Sequence, residues 1–349
     1  MNSSQRRLLC VAAIVAMSFL ACSGEKSSSG GAKLQGAGAS FPAPLYQKWF
    51  KSYSASHNDV QIDYQSIGSG GGIKSVIDKT VDFGASDAAM TSEDMAKVDV
   101  GVQLLPMTGG CIVLTYNLKG VTGLKLSRQA YVGIFLGKVK KWNDPLIAKE
   151  NAGVALPDEP INVVVRADGS GTTFVFTKHL SAVSPDFAKD PGVNTLPNWP
   201  TGTRSKGNEG VTASVMMTPG SLGYIEYGYA KSQNLPMATL ENKSGNFVAP
   251  SKESAQAALA TAQFPDNLIA WVPDPEAKDA YPIATYTWLI CYKQYKDKGK
   301  YQLLHGLLTY CLTDGQKDSE ALGYIPLPSE VADKDKAAIQ NITLAPNAT

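Results

Sequence analysis

Val60, Ile62 and Tyr64 alternate with polar neighbours, which predicts a strand, and Ile73, Val76 and Ile77 follow at helical spacing. The intervening stretch IGSGGGIKSV, Ile67 to Val76, reads as a glycine turn that enters a helix at about Ile73. Strand, turn and helix follow one another in the same way at two other places. Leu34 to Gly38 leads through Ala39-Ser40-Phe41-Pro42 into a helix whose Tyr46, Trp49, Phe50 and Tyr53 share one face, with Pro42 or Pro44 suited to its first turn. Ile161 to Val165 is a continuous apolar strand, followed by RADGSG, Arg166 to Gly171, and by TTFVFTKHL as a helix. The apolar stretches GGCIVLTYN (109–117) and PIATYTWLI (282–290) read as two further strands, so the fold class is α/β.

Each of the three joints ends with a hydroxyl and exposed amides at a helix start. Such a start carries unpaired N–H groups and about half a positive charge, so an anion held there gains hydrogen bonds and a favourable field. At any one joint Ser and Gly are ordinary caps. Their recurrence, with Arg166 beside the third joint, points to a convergent small-anion site. Arg166 and Asp168 lie at the end of a buried strand, where an ion pair that closes the loop is compatible with an arginine fork that grips an oxyanion while Asp168 orients it. Asp87, in VDFGASDAAM, should repel an anion, and Thr91 with Asp94 already supplies a capping-box-like start for the next helix. A carboxylate there can accept from an anion that keeps a proton, as phosphate does near neutral pH, and has nothing to accept from fully ionised sulfate.

Other chemistries fit less well. A nucleotide P-loop needs Gly before its Lys, and Ile73 stands before Lys74; amphipathic elements flank the stretch too closely for a linker. The nucleophile-elbow pattern fails at both serines, since Ile67 lies two before Ser69 and Asp168 two before Ser170. His57, His179 and His305 stand in no recognisable pairing, and no Cys or His cluster has metal-ligand spacing. With 32 basic and 31 acidic residues and no basic run, the chain shows no nucleic-acid surface.

Residues 1–22 read as a signal peptide: Arg6 and Arg7 precede an apolar run from Leu8 to Leu20 that ends at Ala21-Cys22, too short for a comfortable membrane span. Phe19-Leu20-Ala21-Cys22 resembles a bacterial lipobox, with Phe at the position where Leu is usual; Cys22 is then lipidated, the alternatives being plain cleavage and a retained anchor. Residues 23–33 have almost nothing to bury and read as a flexible tether. The rest, about 315 residues from Leu34, exceeds what one core usually serves, so two lobes are expected. Cys111, Cys291 and Cys311 remain, open to one oxidised pair or to three buried thiols.

GAGASFPAPLYQKWF (36–50), YQSIGSGGGIKSV (64–76), TVDFGASDA (80–88) and VVRADGSGTTFVFT (164–177) resemble the periplasmic phosphate-binding proteins of high-affinity phosphate ABC transporters. The likeness continues through YVGIFLGKVKKWNDP (131–145), KGNEGV (206–211), PGSLGYIEYGYA (219–230) and AYPIATYTWLI (280–290). Departures are small: Ser40 stands where Thr is common and Gly70 where some relatives have Ser. The resemblance implies a two-lobed periplasmic-binding-protein fold of type II, its ligand cleft between lobes joined by a two-segment hinge. We place lobe one at residues 34–107 plus 287–349 and lobe two at 108–286, with crossings near Thr108 to Tyr116 and Tyr281 to Thr287. It further implies that Ser40 gives a hydroxyl and amide, Phe41 an amide, Ser69 a hydroxyl, Arg166 its fork backed by Asp168, and Ser170, Gly171 and Thr172 hydroxyls and amides, while Asp87 accepts the phosphate proton. A monomer that hands phosphate to a membrane permease and its ATPase, with no cofactor, metal or catalysis, is the expected function. An exported phosphatase reusing the pocket, or a binder of molybdate, sulfate or an organophosphate, is the alternative.

Overall fold

A computed structural model describes residues 31–57 and 59–348; the leader, the lipobox-like Cys22 and most of the tether lie outside the described residues. Eight strands form the main sheet: β1 (Lys33–Gly38), β2 (Gln61–Ser66), β3 (Phe83–Ser86), β4 (Val102–Asn117), β5 (Asn162–Arg166), β6 (Thr203–Ser205), β7 (Ser221–Glu226) and β8 (Ala284–Tyr292). Their order is β2-β1-β3-β8-β4-β7-β5-β6. The sheet is mixed: β1 runs parallel to β2 and β3, and β5 parallel to β6 and β7, while β8 and β4 lie antiparallel to their neighbours.

β4 belongs to both ends of this sheet. Its residues Val102 to Cys111 pair with β8, and Ile112 to Asn117 pair with β7. The chain thus passes from one half of the fold to the other at Cys111–Ile112, and β8 begins opposite Cys111 at Ala284. Within β4 stands Pro106, which has no N–H for the ladder, and the register of β8 shifts between Thr287 and Trp288, opposite that proline.

Parallel strands need crossover connections, and helices supply them. α1 (Ala43–Ser56) joins β1 to β2, α2 (Ser69–Ile77) joins β2 to β3, α3 (Gly171–Val183) follows β5, and α4 (Gly207–Met217) follows β6. The shared face expected for α1 is buried: Tyr46 and Phe50 meet Tyr64, and Phe50 also meets Phe83, at ring separations of 5.5–6.0 Å. In the other half Phe176 packs on Phe135 at 4.7 Å and on Tyr224 at 4.5 Å. Each such side chain contributes about 1.5–3 kcal/mol through burial, which holds the joints at the strand ends in fixed positions.

One boundary differs from expectation. α2 begins at Ser69 rather than near Ile73, so Gly70, Gly71 and Gly72 form its first turn. Small size is what that turn requires: a Cβ on Gly72 would lie 2.6 Å from Cα of Gly38 and 2.7 Å from the carbonyl of Ala85. Cys111, Cys291 and Cys311 are buried and unpaired. Among the described residues no helix is long and apolar enough to cross a membrane.

Candidate functional site

Ser40 and Phe41 form the turn between β1 and α1, and both are buried. The carbonyls of this turn are occupied: Tyr64 donates to Ala39, Tyr229 to Ser40 and Tyr324 to Phe41, each at 2.7 Å. At the second joint Gly68 caps α2 with φ of 87°, a left-handed conformation that a side chain would strain. Ser69 is fully buried, and its Oγ accepts from the amide of Asp87 at 3.1 Å.

The third joint begins with Arg166, the last residue of β5, whose side chain is 1% exposed. Its Nε donates to Oδ1 of Asp168 at 2.9 Å and its Nη2 donates to Oδ2. Asp168 also accepts from the amide of Gly207 at 3.0 Å. Burial pushes the Asp168 carboxyl up, but the Arg166 bonds and charge outweigh it and leave its pKa below the ordinary range. Nη1 of Arg166 is buried with no partner among the described residues. A buried guanidinium donor left unpaired costs free energy that a bound acceptor would recover. Ser170 caps α3 through its Oγ, which accepts from Thr173 at 3.0 Å, and the amides of Gly171 and Thr172 are those that a helix start leaves unpaired.

The joints converge. The amide of Gly70 donates to the carbonyl of Gly169 at 2.8 Å, linking the second joint to the third. A Cβ on Gly171 would lie 2.7 Å from Oδ2 of Asp87, so only glycine permits α3 to start against that carboxyl. Asp87 is itself fully buried and accepts from the hydroxyl of Thr287 at 2.8 Å. Burial drives its pKa up to about 7, held there by the Thr287 bond, the Arg166 charge and the hydroxyls of Thr172 and Ser69. Lys74 faces away, 75% exposed and paired with Asp78 at 2.6 Å.

Two residues that motif reading did not single out complete the arrangement. Asn208, fully buried near the start of α4, donates from Nδ2 to Ser40 at 2.9 Å and to Thr172 at 3.2 Å; its only signal was that KGNEGV is one of the stretches that carry the family resemblance. Thr287, the partner of Asp87, lies in the AYPIATYTWLI stretch of the resemblance and at an expected crossing, but nothing marked it as a site residue. None of the three histidines hydrogen-bonds to these groups: His179 pairs with Tyr131 and the carbonyl of Pro273, His57 with its own helix and His305 with Ile342. Among the described residues no His, Cys, Asp and Glu cluster could hold a metal ion. The site therefore offers many donors, one of them a charged and spare Nη1, with a single carboxyl facing them. Such a set suits a small oxyanion that carries a proton.

Residues 23–314, which include Ser40, Phe41, Ser69, Asp87, Arg166, Asp168, Ser170, Gly171, Thr172, Asn208 and Thr287, match the PBP superfamily domain. The chain is 42% identical over 308 residues to the phosphate-binding protein PstS of Pasteurella multocida, covering 87% of this chain and 89% of that one. It is 38% identical over 320 residues to the phosphate-binding protein PstS of Methanocaldococcus jannaschii, covering 84% and 82%. The chain belongs to the PstS phosphate-binding protein family. The PstS fold has solved counterparts. A high-affinity periplasmic phosphate-binding protein, solved with phosphate bound, superposes with a TM-score of 0.71 over 87% of this chain and 93% of that one, at 21% identity. At that identity the likeness speaks for the α/β fold alone.

Proposed function

We propose that this chain binds inorganic phosphate between its two lobes and delivers it to an ABC-type permease. The observation that carries the reading is the spare, buried Nη1 of Arg166 beside two helix starts that meet at Asp87 and a third tied to them through Asn208. Ser40, Phe41, Ser69, Arg166, Ser170, Gly171 and Thr172 then donate hydroxyl, amide or guanidinium hydrogens to the phosphate oxygens, Asp168 orients Arg166, and Asp87 shares the phosphate proton. Family membership supports the same ligand, since the curated relatives above carry it in their names.

Lobe one comprises residues 34–107 and 287–349 and lobe two residues 108–286, with the crossings along β4 and into β8 acting as the hinge. Phosphate touches both faces only in the closed state, so its binding energy favours closure. Closure presents a monomer's outer surface to the permease, whose ATPase drives release. Lipidation at Cys22 keeps the protein in the cell envelope beside that permease. No bond is made or broken in this cycle, so the chain acts as a carrier and not as an enzyme.

Calorimetry tests the reading directly. Phosphate and arsenate should bind tightly and one to one, and sulfate weakly; equal binding of sulfate would sink the role given to Asp87. Turnover of a chromogenic phosphate ester that tracks the pure protein would favour an enzyme instead.

A further inference from the structure

Asn208 belongs to none of the three joints, yet its side chain spans the cleft they form. Nδ2 reaches Oγ of Ser40 on the β1–α1 turn and Oγ1 of Thr172 at the start of α3, at 2.9 and 3.2 Å. The backbone N–H of Asn208 also donates to Oγ of Ser40, at 3.1 Å. Oδ1 settles which end of the amide is which, because it accepts from the backbone N–H of Glu226 at 2.9 Å. A backbone N–H only donates, so the flipped amide would set two donors against each other. Both groups of Asn208 therefore donate to Ser40.

A hydroxyl oxygen has two lone pairs and one hydrogen. Asn208 fills both lone pairs of Ser40, which leaves that hydroxyl able only to donate, and no acceptor among the described residues takes its hydrogen. Thr172 receives one such bond, which biases its hydroxyl the same way. Ser69 accepts one bond as well, from the amide of Asp87.

We infer that Asn208 is a positioning residue that sets the donor polarity of Ser40 and Thr172 in the closed cleft, so that both hydroxyls give hydrogens to the bound anion. The inference rests on the phosphate reading and deepens it. Donors fixed in direction before the ligand arrives need no reorientation on binding. With Ser40 committed to donating and Thr172 biased the same way, the carboxyl of Asp87 is the charged acceptor that faces the phosphate proton. Ser40 follows β1 and Asn208 follows β6, strands in opposite halves of the sheet, so the polarity is imposed only where the two faces meet.

The test is a cycle of phosphate titrations on the full chain: wild type, Asn208→Ala, Ser40→Ala/Thr172→Ala, and the triple variant. Asn208→Ala should weaken phosphate binding by about tenfold or more, the size of hydrogen bonds to a charged group, and should also lower the thermal midpoint without phosphate, because the buried N–H of Glu226 loses its acceptor. In the background lacking both hydroxyls the same change should cost less than about threefold, because the groups through which Asn208 acts are gone. Should Asn208→Ala fail to fold, Asn208→Ser, too short to reach either hydroxyl, carries the same cycle. Equal losses in the two backgrounds would make Asn208 a plain strut between the lobes and overturn the inference, as would unchanged binding by Asn208→Ala. Failure of the wild type to bind phosphate would instead strike the reading of the site, and the inference would fall with it.

Discussion

Asp87 and Asp335 are both buried carboxyls, and burial is the first cause of a raised pKa in each, to about 7 and about 9. Their surroundings differ. Asp87 accepts from Thr287 and lies near Arg166, Thr172 and Ser69, all of which favour its charged form. Asp335 lies on the helix Ser329–Ile339, and neither of its oxygens has a hydrogen-bond partner among the described residues. A raised pKa by itself therefore says only that a carboxyl is buried. What marks a binding site is a raised carboxyl together with donors in excess, one of them charged and spare.

The contrast is broken most severely at the spare donor. Arg166→Ala should weaken phosphate binding by about 2–5 kcal/mol, as when one partner of a buried charged pair is removed. Calorimetry reads the loss, and a thermal melt without phosphate shows whether the fold survives with Asp168 unpaired. Normal binding by this variant would put the anion elsewhere and make Asp87 no more informative than Asp335.

Asp87 offers a sharper test because its charge changes within an accessible range. Since its folded pKa is raised to about 7, the carboxyl keeps a proton below that pH and loses it above. Protonated Asp87 can donate to sulfate; ionised Asp87 can only repel it. Sulfate binding by the wild type should therefore strengthen as pH falls through about 7, narrowing discrimination by about tenfold, or roughly 1.4 kcal/mol. Asp87→Asn, whose amide donates at every pH, should show the narrowed discrimination throughout and no such pH dependence. Competition titrations against phosphate measure both, and a flat sulfate profile in the wild type would remove Asp87 from the selectivity.

Much of the site was legible because the three joints announce themselves through a change of period, from strand alternation to helical spacing, with Ser and Gly at the change. Asn208 and Thr287 were not, since each acts on a residue 168 or 200 positions away and neither breaks a local pattern. The start of α2 was hidden for a different reason: three glycines lower the helical propensity of its first turn, and only close packing against Gly38, Ala85 and Gly169 requires them there. The length of β4 was obscured by Pro106 and by Gly109 and Gly110, which fragment the pattern of a strand that serves both halves. Asp335 is set apart by packing alone, since it is buried while Asp333, two positions away in VADKDKAAI, is exposed.

Asp335 also supplies the smallest and most discriminating effect. Its folded pKa lies near 9, far above the value of about 3.9 expected in the unfolded chain. Between those two values the folded state holds a proton that the unfolded chain has released, so stability from this group is present at low pH and lost as pH rises toward 9. Asparagine cannot ionise. Asp335→Asn should raise the thermal midpoint at about pH 8, where folding must return a proton that the unfolded chain has released, by an amount that grows with pH, and leave it almost unchanged near pH 4. Phosphate affinity should not move at either pH, in contrast to every substitution at Asp87. A change in affinity would mean that the C-terminal helix communicates with the cleft, and the separation between a carboxyl that binds and one that is merely buried would no longer hold.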